Sequence, residues 1–208
     1  MLTPPVLCLI TDPAVPDLVT KVETALSAGV NMLQLRGHTL PAVELYKLAL
    51  VLRPLCHRYR AAFIINDRID VGLATDVDGF QLGARSLPLA IVRELVGENY
   101  LLGVSVHSCE EALAARAGGA DFLLAGTIFA SHTHPGETPR GIDLLHTIRS
   151  EAPGGHLTCP LLAIGGITQE NARQVMQAGA DGIAVITAIL GSADVIQAVS
   201  ELRAAINP

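Results

Sequence analysis

Eight short apolar or alternating runs, recurring with helical segments between them, constrain what this chain can fold into. They are residues 6–10 (VLCLI), 32–35 (MLQL), 62–65 (AFII), 79–82 (GFQL), 101–105 (LLGVS), 122–125 (FLLA), 161–164 (LLAI) and 182–186 (GIAVI). Continuous runs of this length read as strands buried on both faces, the condition of a parallel sheet covered by helices. The stretches between them, among them DLVTKVETALSAG, PAVELYKLALVLRPL, SCEEALAARAGG, GIDLLHTIRS, TQENARQVMQAGA and SADVIQAVSELRAAI, carry apolar residues at helical spacing. Ser108 with Glu111 predicts a capping box, and Gly29 and Gly118 sit where glycines end helices. Four strands are entered in the same way, through a small turn and an Asn or Asp: AGVNMLQL, DVDGFQL, GGADFLLAG and AGADGIAV. Eight such units predict an α/β protein, a single (β/α)8 TIM barrel. An open doubly wound sheet would give similar periodicity, but the GxGxxG fingerprint of its dinucleotide-binding form is missing near the start.

One barrel domain over residues 1–208 is expected, since this length makes a barrel without dividing. A 50% hydrophobic share against 16% charged excludes disorder, and no apolar run approaches the ~20 residues of a bilayer span. The first residues lack the basic flank of a secretion signal and read as a strand, so a cytoplasmic location is expected. A net charge of −6 without clustered Lys or Arg argues against nucleic acid as a partner, so an anionic ligand has to be held locally. Cys8, Cys56, Cys109 and Cys159 form no CxxC pair and are expected to be reduced, packed thiols. Barrels of this size associate, and a homodimer is one expectation.

A barrel of this kind works at the C-terminal ends of its strands. That rule singles out Thr11 and Asp12, Gln34 and Arg36, Asn66 and Asp67, Gln81 and Arg85, Ser105 and His107, the segment GTIFASHTHPGETPRG, then GGIT, and finally Ile186 with Thr187. Gly165 and Gly166 open a strand-to-helix turn whose N–H groups can converge on an anion near the helix start, joined by those of Ile186 and Thr187. The competing reading is a tight turn with no ligand. Arg36, Asn66 and Asp67 stand at neighbouring strand ends, where they can hold a charged or amide-bearing ligand; an Arg36–Asp67 ion pair at the rim is the structural alternative. Arg68 and Asp70 read as helix-start charges. His107 is the best single general acid/base candidate, against a role in holding its loop. His132 and His134, two residues apart, would need further ligands to bind a metal, and none is identified. His38, His57, His146 and His156 read as surface residues.

These motifs together, QLR, INDRIDVGLATDVDGFQLGARSLP, GVSVHS, GTIFASHTHPGETPRG and LLAIGGITQENARQVMQAGADGIAVITAI, resemble the thiamine phosphate synthase and TenI superfamily across nearly the whole chain. The resemblance implies a (β/α)8 barrel acting on a phosphorylated thiazole in thiamine biosynthesis. Its synthase branch joins a pyrimidine methyl diphosphate to thiazole phosphate and releases pyrophosphate, with Mg2+ held by two aspartates. Asp67 matches the first aspartate, but Ser86 stands at the second; the branch's Arg-x-Lys after strand two reads Arg36-Gly37-His38, and its strand-six lysine position reads His134. The TenI branch, a thiazole tautomerase that needs no metal, is closer in QLGARS, GVSVHS and the PRG end of loop six. Its histidine directly after the strand-six glycine is Thr127 here.

The expectation is therefore a TenI-like isomerase without cofactor, with His134, His107, Thr127 and His132 as catalytic candidates. Arg36, Asn66, Asp67, Gln81 and Ser105 would bind substrate, and Gly165, Gly166, Ile186 and Thr187 would bind phosphate. A divergent Mg2+-dependent synthase and a non-catalytic binder of the same phosphorylated ligand are the alternatives. Loop six is expected to act as a lid over the site, with a surface loop as the alternative.

Overall fold

The computed structural model describes residues 2–130, 138–152 and 157–207. Eight parallel strands close into a barrel in sequence order, with β8 hydrogen-bonded to β1. They are β1 (Val6–Ile10), β2 (Met32–Leu35), β3 (Ala62–Asn66), β4 (Gly79–Leu82), β5 (Leu101–Val106), β6 (Phe122–Ala125), β7 (Leu161–Ile164) and β8 (Gly182–Val185). The (β/α)8 barrel expected from the sequence is thus the fold, and each strand falls within one residue of its apolar run.

The helices are α1 (Leu18–Ala28), α2 (Ala42–Tyr59), α3 (Ile69–Thr75), α4 (Leu89–Val96), α5 (Cys109–Ala117), α6 (Asp143–Ser150), α7 (Ala172–Gln177), α8 (Thr187–Leu190) and α9 (Val195–Ile206). Two depart from the sequence reading. Helix α2 continues beyond the expected segment to Tyr59; Pro54, already within that segment, has its missing N–H on the exposed side while Leu52, Leu55 and Cys56 stay buried behind it. After β8 the chain makes the short α8 before α9, a single turn that the apolar string ITAIL did not separate from its strand. Ser108 caps α5 as predicted by accepting from the Glu111 N–H at 3.2 Å, but the Glu111 carboxylate reaches back one residue further, to the His107 N–H at 2.6 Å.

Side chains alternate between the barrel interior and the helix layer. The interior holds Val6, Cys8, Ile10, Met32, Ile64, Phe122, Leu124, Leu162 and Ala184. Gly103 makes room there: a Cβ at that position would lie 2.1 Å from Phe122 Cζ, so the ring takes the space a side chain on β5 would occupy. The outward residues, including Leu7, Leu9, Phe63 and Phe80, pack with the helices in the main core.

The recurrent Asn or Asp before β2, β4, β6 and β8 has a structural purpose. Each accepts from the first N–H groups of the preceding strand: Asn31 from Leu7 at 2.8 Å, Asp78 from Phe63 at 2.7 Å, Asp121 from Leu102 at 2.8 Å and Asp181 from Leu161 at 2.8 Å. The three aspartates also pair with arginines, Asp78 with Arg53 at 3.1 Å, Asp121 with Arg93 at 2.6 Å, and Asp181 with Arg149. At the neutral Asn31 unit the corresponding arginine, Arg203, donates to the carbonyls of Gly29 and Pro5 instead. Four staples thus close the bottom of the barrel, leaving the opposite end for chemistry.

Candidate active site

A cavity of about 680 Å³ opens at the C-terminal ends of the strands. It brings together Arg36, Asn66, Asp67, Ser105, His107, Thr127, Gly165, Gly166, Ile186 and Thr187, all singled out from the sequence. A smaller cavity of about 380 Å³, lined by Thr11, Asp12 and Thr39 among others, shares Arg36, His38 and Ile186 with it. Gln81 does not line the cavity; it is buried one layer below, donating to Ser105 Oγ at 3.0 Å, while its Oε1 has no partner among the described residues. His132, His134 and Pro135 of loop six, and His156, lie outside the described residues.

Two features of the wall offer donors suited to negative charge. At the turns after β7 and β8, the backbone N–H groups of Gly165, Gly166, Ile167, Ile186 and Thr187 have no acceptor among the described residues, and all five residues line the cavity. Four of these residues are buried or half-buried, where N–H groups are normally paired, and Thr187 is exposed; five open donors on one wall make a candidate anion cradle. Gly165 and Gly166 take φ of 103° and 61°, and a Cβ on Gly166 would meet the Ala130 carbonyl at 2.4 Å. The first part of loop six packs directly beneath, with Ile128 N–H donating to the Ile164 carbonyl at 2.9 Å and Phe129 N–H to that of Gly165 at 3.0 Å. The cradle differs from the sequence expectation in one respect: α7 starts only at Ala172, and the Thr168 N–H is already taken by Asn171 Oδ1 at 2.9 Å. The open donors therefore belong to the turns and not to the helix start.

The second feature is a pair of guanidinium groups. Arg36 is set by Thr11, whose buried hydroxyl donates to the Arg36 carbonyl at 3.1 Å and accepts from its N–H at 2.9 Å. Neither Arg36 nor Arg85 has a side-chain partner among the described residues, and both face the cavity. The rim ion pair between Arg36 and Asp67 does not form. Asp67 instead accepts from Asn66 Nδ2 at 2.6 Å and from the Ser86 hydroxyl, and its Oδ2 lies 3.7 Å from His38 Nδ1. Gln34, nearly fully buried, donates to Asn66 Oδ1 at 2.8 Å and extends this polar row across the mouth.

The histidines redistribute. His38, read from the sequence as a surface residue, stands at the cavity mouth beside Asp67; its position three residues past β2 was the available signal. His107 lines the cavity but its Nδ1 lies 3.1 Å from Glu111 Oε2, tying the ring to the start of α5. Arg68 and Asp70 pair with each other at 2.6 Å at the start of α3, as expected of helix-start charges. Burial pushes the Cys8 thiol up inside the barrel, as befits a packed thiol. Among the described residues, no group of three or more His, Cys, Asp or Glu could hold a metal, and no helix is long and apolar enough to cross a membrane.

A TIM barrel whose C-terminal mouth carries open N–H donors beside arginines with no side-chain partner among the described residues is a frame that can receive an anionic small molecule. The particular family follows from comparison with known proteins. Residues 7–189 match the sequence profile described as thiamine monophosphate synthase, and the chain belongs to that family. The thiamine-phosphate synthase of Pyrococcus furiosus is 41% identical over 197 residues, covering 95% of this chain and 92% of that protein. That of Chloroflexus aurantiacus is 44% identical over 187 residues, 89% and 84% of the two chains. The solved structure of the Pyrococcus furiosus thiamine phosphate pyrophosphorylase superposes with a TM-score of 0.88 at 39% identity, covering 97% and 95%. Similarity to synthases at this level overturns the expectation of a TenI-like isomerase. That expectation rested on three substituted positions, Ser86, His38 and His134, and on short matches in QLGARS, GVSVHS and PRG, which together weigh less than likeness over almost the whole chain.

Proposed function

We propose that this chain is a thiamine-phosphate synthase, a transferase that joins a pyrimidine methyl diphosphate to a thiazole phosphate and releases pyrophosphate. The observation that carries the reading is two groups of donors suited to anions in one cavity: the open N–H groups of the β7 and β8 turns, and the guanidinium groups of Arg36 and Arg85, which have no side-chain partner among the described residues. A tautomerase with one phosphorylated substrate needs one such centre. A synthase needs two, one for the phosphate that stays and one for the diphosphate that leaves.

In this reading Gly165, Gly166, Ile186 and Thr187 hold the thiazole phosphate through backbone N–H donors, which cannot be titrated and need no side-chain ordering. Arg36 and Arg85 hold the diphosphate. The row Gln34, Asn66 and Ser105 faces the pyrimidine ring with amide and hydroxyl groups suited to ring nitrogens. The ring nitrogen of the thiazole attacks the methylene carbon, a C–N bond forms, the C–O bond to diphosphate breaks, and its electron pair leaves with the pyrophosphate. A thiazole nitrogen carries no proton, so the bond-forming step needs no general base. His107, tied to Glu111, then has no obligatory proton-transfer role. What the reaction demands is alignment of the two substrates and stabilisation of charge on the leaving group.

The family's Mg2+ suits part of this wall. Among the described residues lining the larger cavity Asp67 is the one acidic residue, and Mg2+ is often held by one or two carboxylates together with substrate phosphates. Asp67 would hold the ion, which when bound neutralises charge on the departing diphosphate. The test is pyrophosphate release from the pyrimidine diphosphate and thiazole phosphate with Mg2+, beside an authentic synthase. Release that requires both substrates is expected, and its absence would refute the assignment.

A further inference from the structure

The larger cavity is rich in cations and poor in carboxylates. Of the described residues lining it, Asp67 alone is acidic, while Arg36 and Arg85 face it without side-chain partners. The turn from β4 into α4 contributes one cation and one neutral group to this region: Arg85 on the wall, and Ser86 against Asp67. Ser86 is already committed, since its hydroxyl donates to Asp67 Oδ1 while its Oγ accepts from the Gly83 N–H at 2.6 Å. The other Asp67 oxygen accepts from Asn66. A bare divalent cation would therefore find a single, partly occupied carboxylate, no cluster of three ligating side chains among the described residues, and two guanidinium charges opposing its approach. The same guanidinium groups attract a polyanion.

We infer that Mg2+ joins this site only as its complex with a diphosphate, with Asp67 as the carboxylate that the described residues offer it, and that Arg85 binds the diphosphate directly whether or not the metal is present. The inference rests on the synthase reading, in which the diphosphate is the leaving group. It assigns to Arg85 part of the charge neutralisation that a second carboxylate-bound position on the metal would otherwise organise. A planar guanidinium suits that task because it offers paired donors to phosphate oxygens.

Isothermal titration calorimetry on the full chain tests it, with inorganic pyrophosphate as the probe. Mg2+ alone is expected to give no saturable heat up to several millimolar, whereas pyrophosphate in the presence of EDTA binds saturably. Arg85→Ala is expected to weaken that metal-free binding about tenfold or more, the loss of one charge-assisted contact. Ser86→Asp, which sets a second carboxylate beside Asp67, should gain saturable Mg2+ binding without pyrophosphate and bind metal-free pyrophosphate less tightly; Ser86→Ala should gain no Mg2+ binding. Saturation of the unmodified protein by Mg2+ alone, indifference of metal-free pyrophosphate binding to Arg85, or failure of Ser86→Asp to gain Mg2+ binding would each overturn the inference. Failure of the synthase reading has a different signature, the absence of pyrophosphate release from the two substrates whatever the calorimetry shows.

Discussion

Replacing Gly166 with alanine probes the phosphate cradle at the point where its geometry is least forgiving. The native residue sits at φ 61°, which costs a non-glycine residue about 1–2 kcal/mol. The added Cβ would lie 2.4 Å from the Ala130 carbonyl oxygen, a backbone atom that cannot rotate away. Restoring a tolerable contact near 3.0 Å requires the turn or loop six to move by roughly 0.6 Å, enough to take a 2.9 Å N–H···O bond beyond the usual range. One lost hydrogen bond to a charged phosphate is worth about 1.5–3 kcal/mol, a factor of roughly 10 to 100 in affinity. The assay is the initial rate of pyrophosphate release as thiazole phosphate is varied, with a thermal melt alongside to separate binding from folding. A 10- to 100-fold rise in KM for the thiazole phosphate is expected, with a much smaller change in KM for the diphosphate substrate. A KM for thiazole phosphate within twofold of the unmodified protein, in a variant that melts normally, would refute the cradle.

Three other outcomes are expected. Asp67→Asn should lower pyrophosphate release about 100-fold or more across Mg2+ concentrations, in keeping with loss of the carboxylate that would hold Mg2+ at the leaving group; initial rates within threefold would exclude that role. Asp121→Ala strands the buried Leu102 N–H and removes the ion pair of Arg93, whose guanidinium keeps only backbone carbonyl acceptors such as those of Gly97 and Tyr100, and should cost about 2–4 kcal/mol in urea unfolding, whereas Asp121→Asn, which keeps the acceptor, should cost clearly less; equal losses would contradict the staple. In the native protein at pH 8 a disulfide reagent should modify the half-buried Cys109 first. Cys8 and Cys56 should react only in denaturant, because burial pushes the Cys56 thiol up to about 12 and the Cys8 thiol higher, so both stay protonated; early labelling of either would contradict this.

The strands were legible because burial on both faces leaves a continuous apolar string whose ends are marked by polar or small residues. Helices were legible where an apolar stripe repeats, and less so for α8, whose four residues carry no period. The rule that chemistry gathers at the C-terminal strand ends brought Arg36, Asn66, Asp67, Ser105 and His107 to one cavity, because strand direction is set by the alternation itself. It misplaced Gln81, which satisfies the same rule but points one layer deeper, and it passed over His38. Branch assignment from single positions misled for a related reason. Ser86 reads as a missing ligand in a string, but a string does not show the arginine beside it or how much of a site the rest of the wall supplies.

The barrel was already implicit in the order of residues, since eight buried parallel strands joined by helices have few other ways to hide their apolar faces. The same order also marked which strand ends carry polar chemistry. Packing in three dimensions settled which N–H groups remain open among the described residues, that Arg36 and Asp67 stay apart while Ser86 and Asn66 hold the carboxylate, and that the recurrent aspartates staple the closed end. Those outcomes depend on residues far apart in the chain competing for the same donors and acceptors, and that competition is settled by distance and direction in space, which local sequence pattern does not encode.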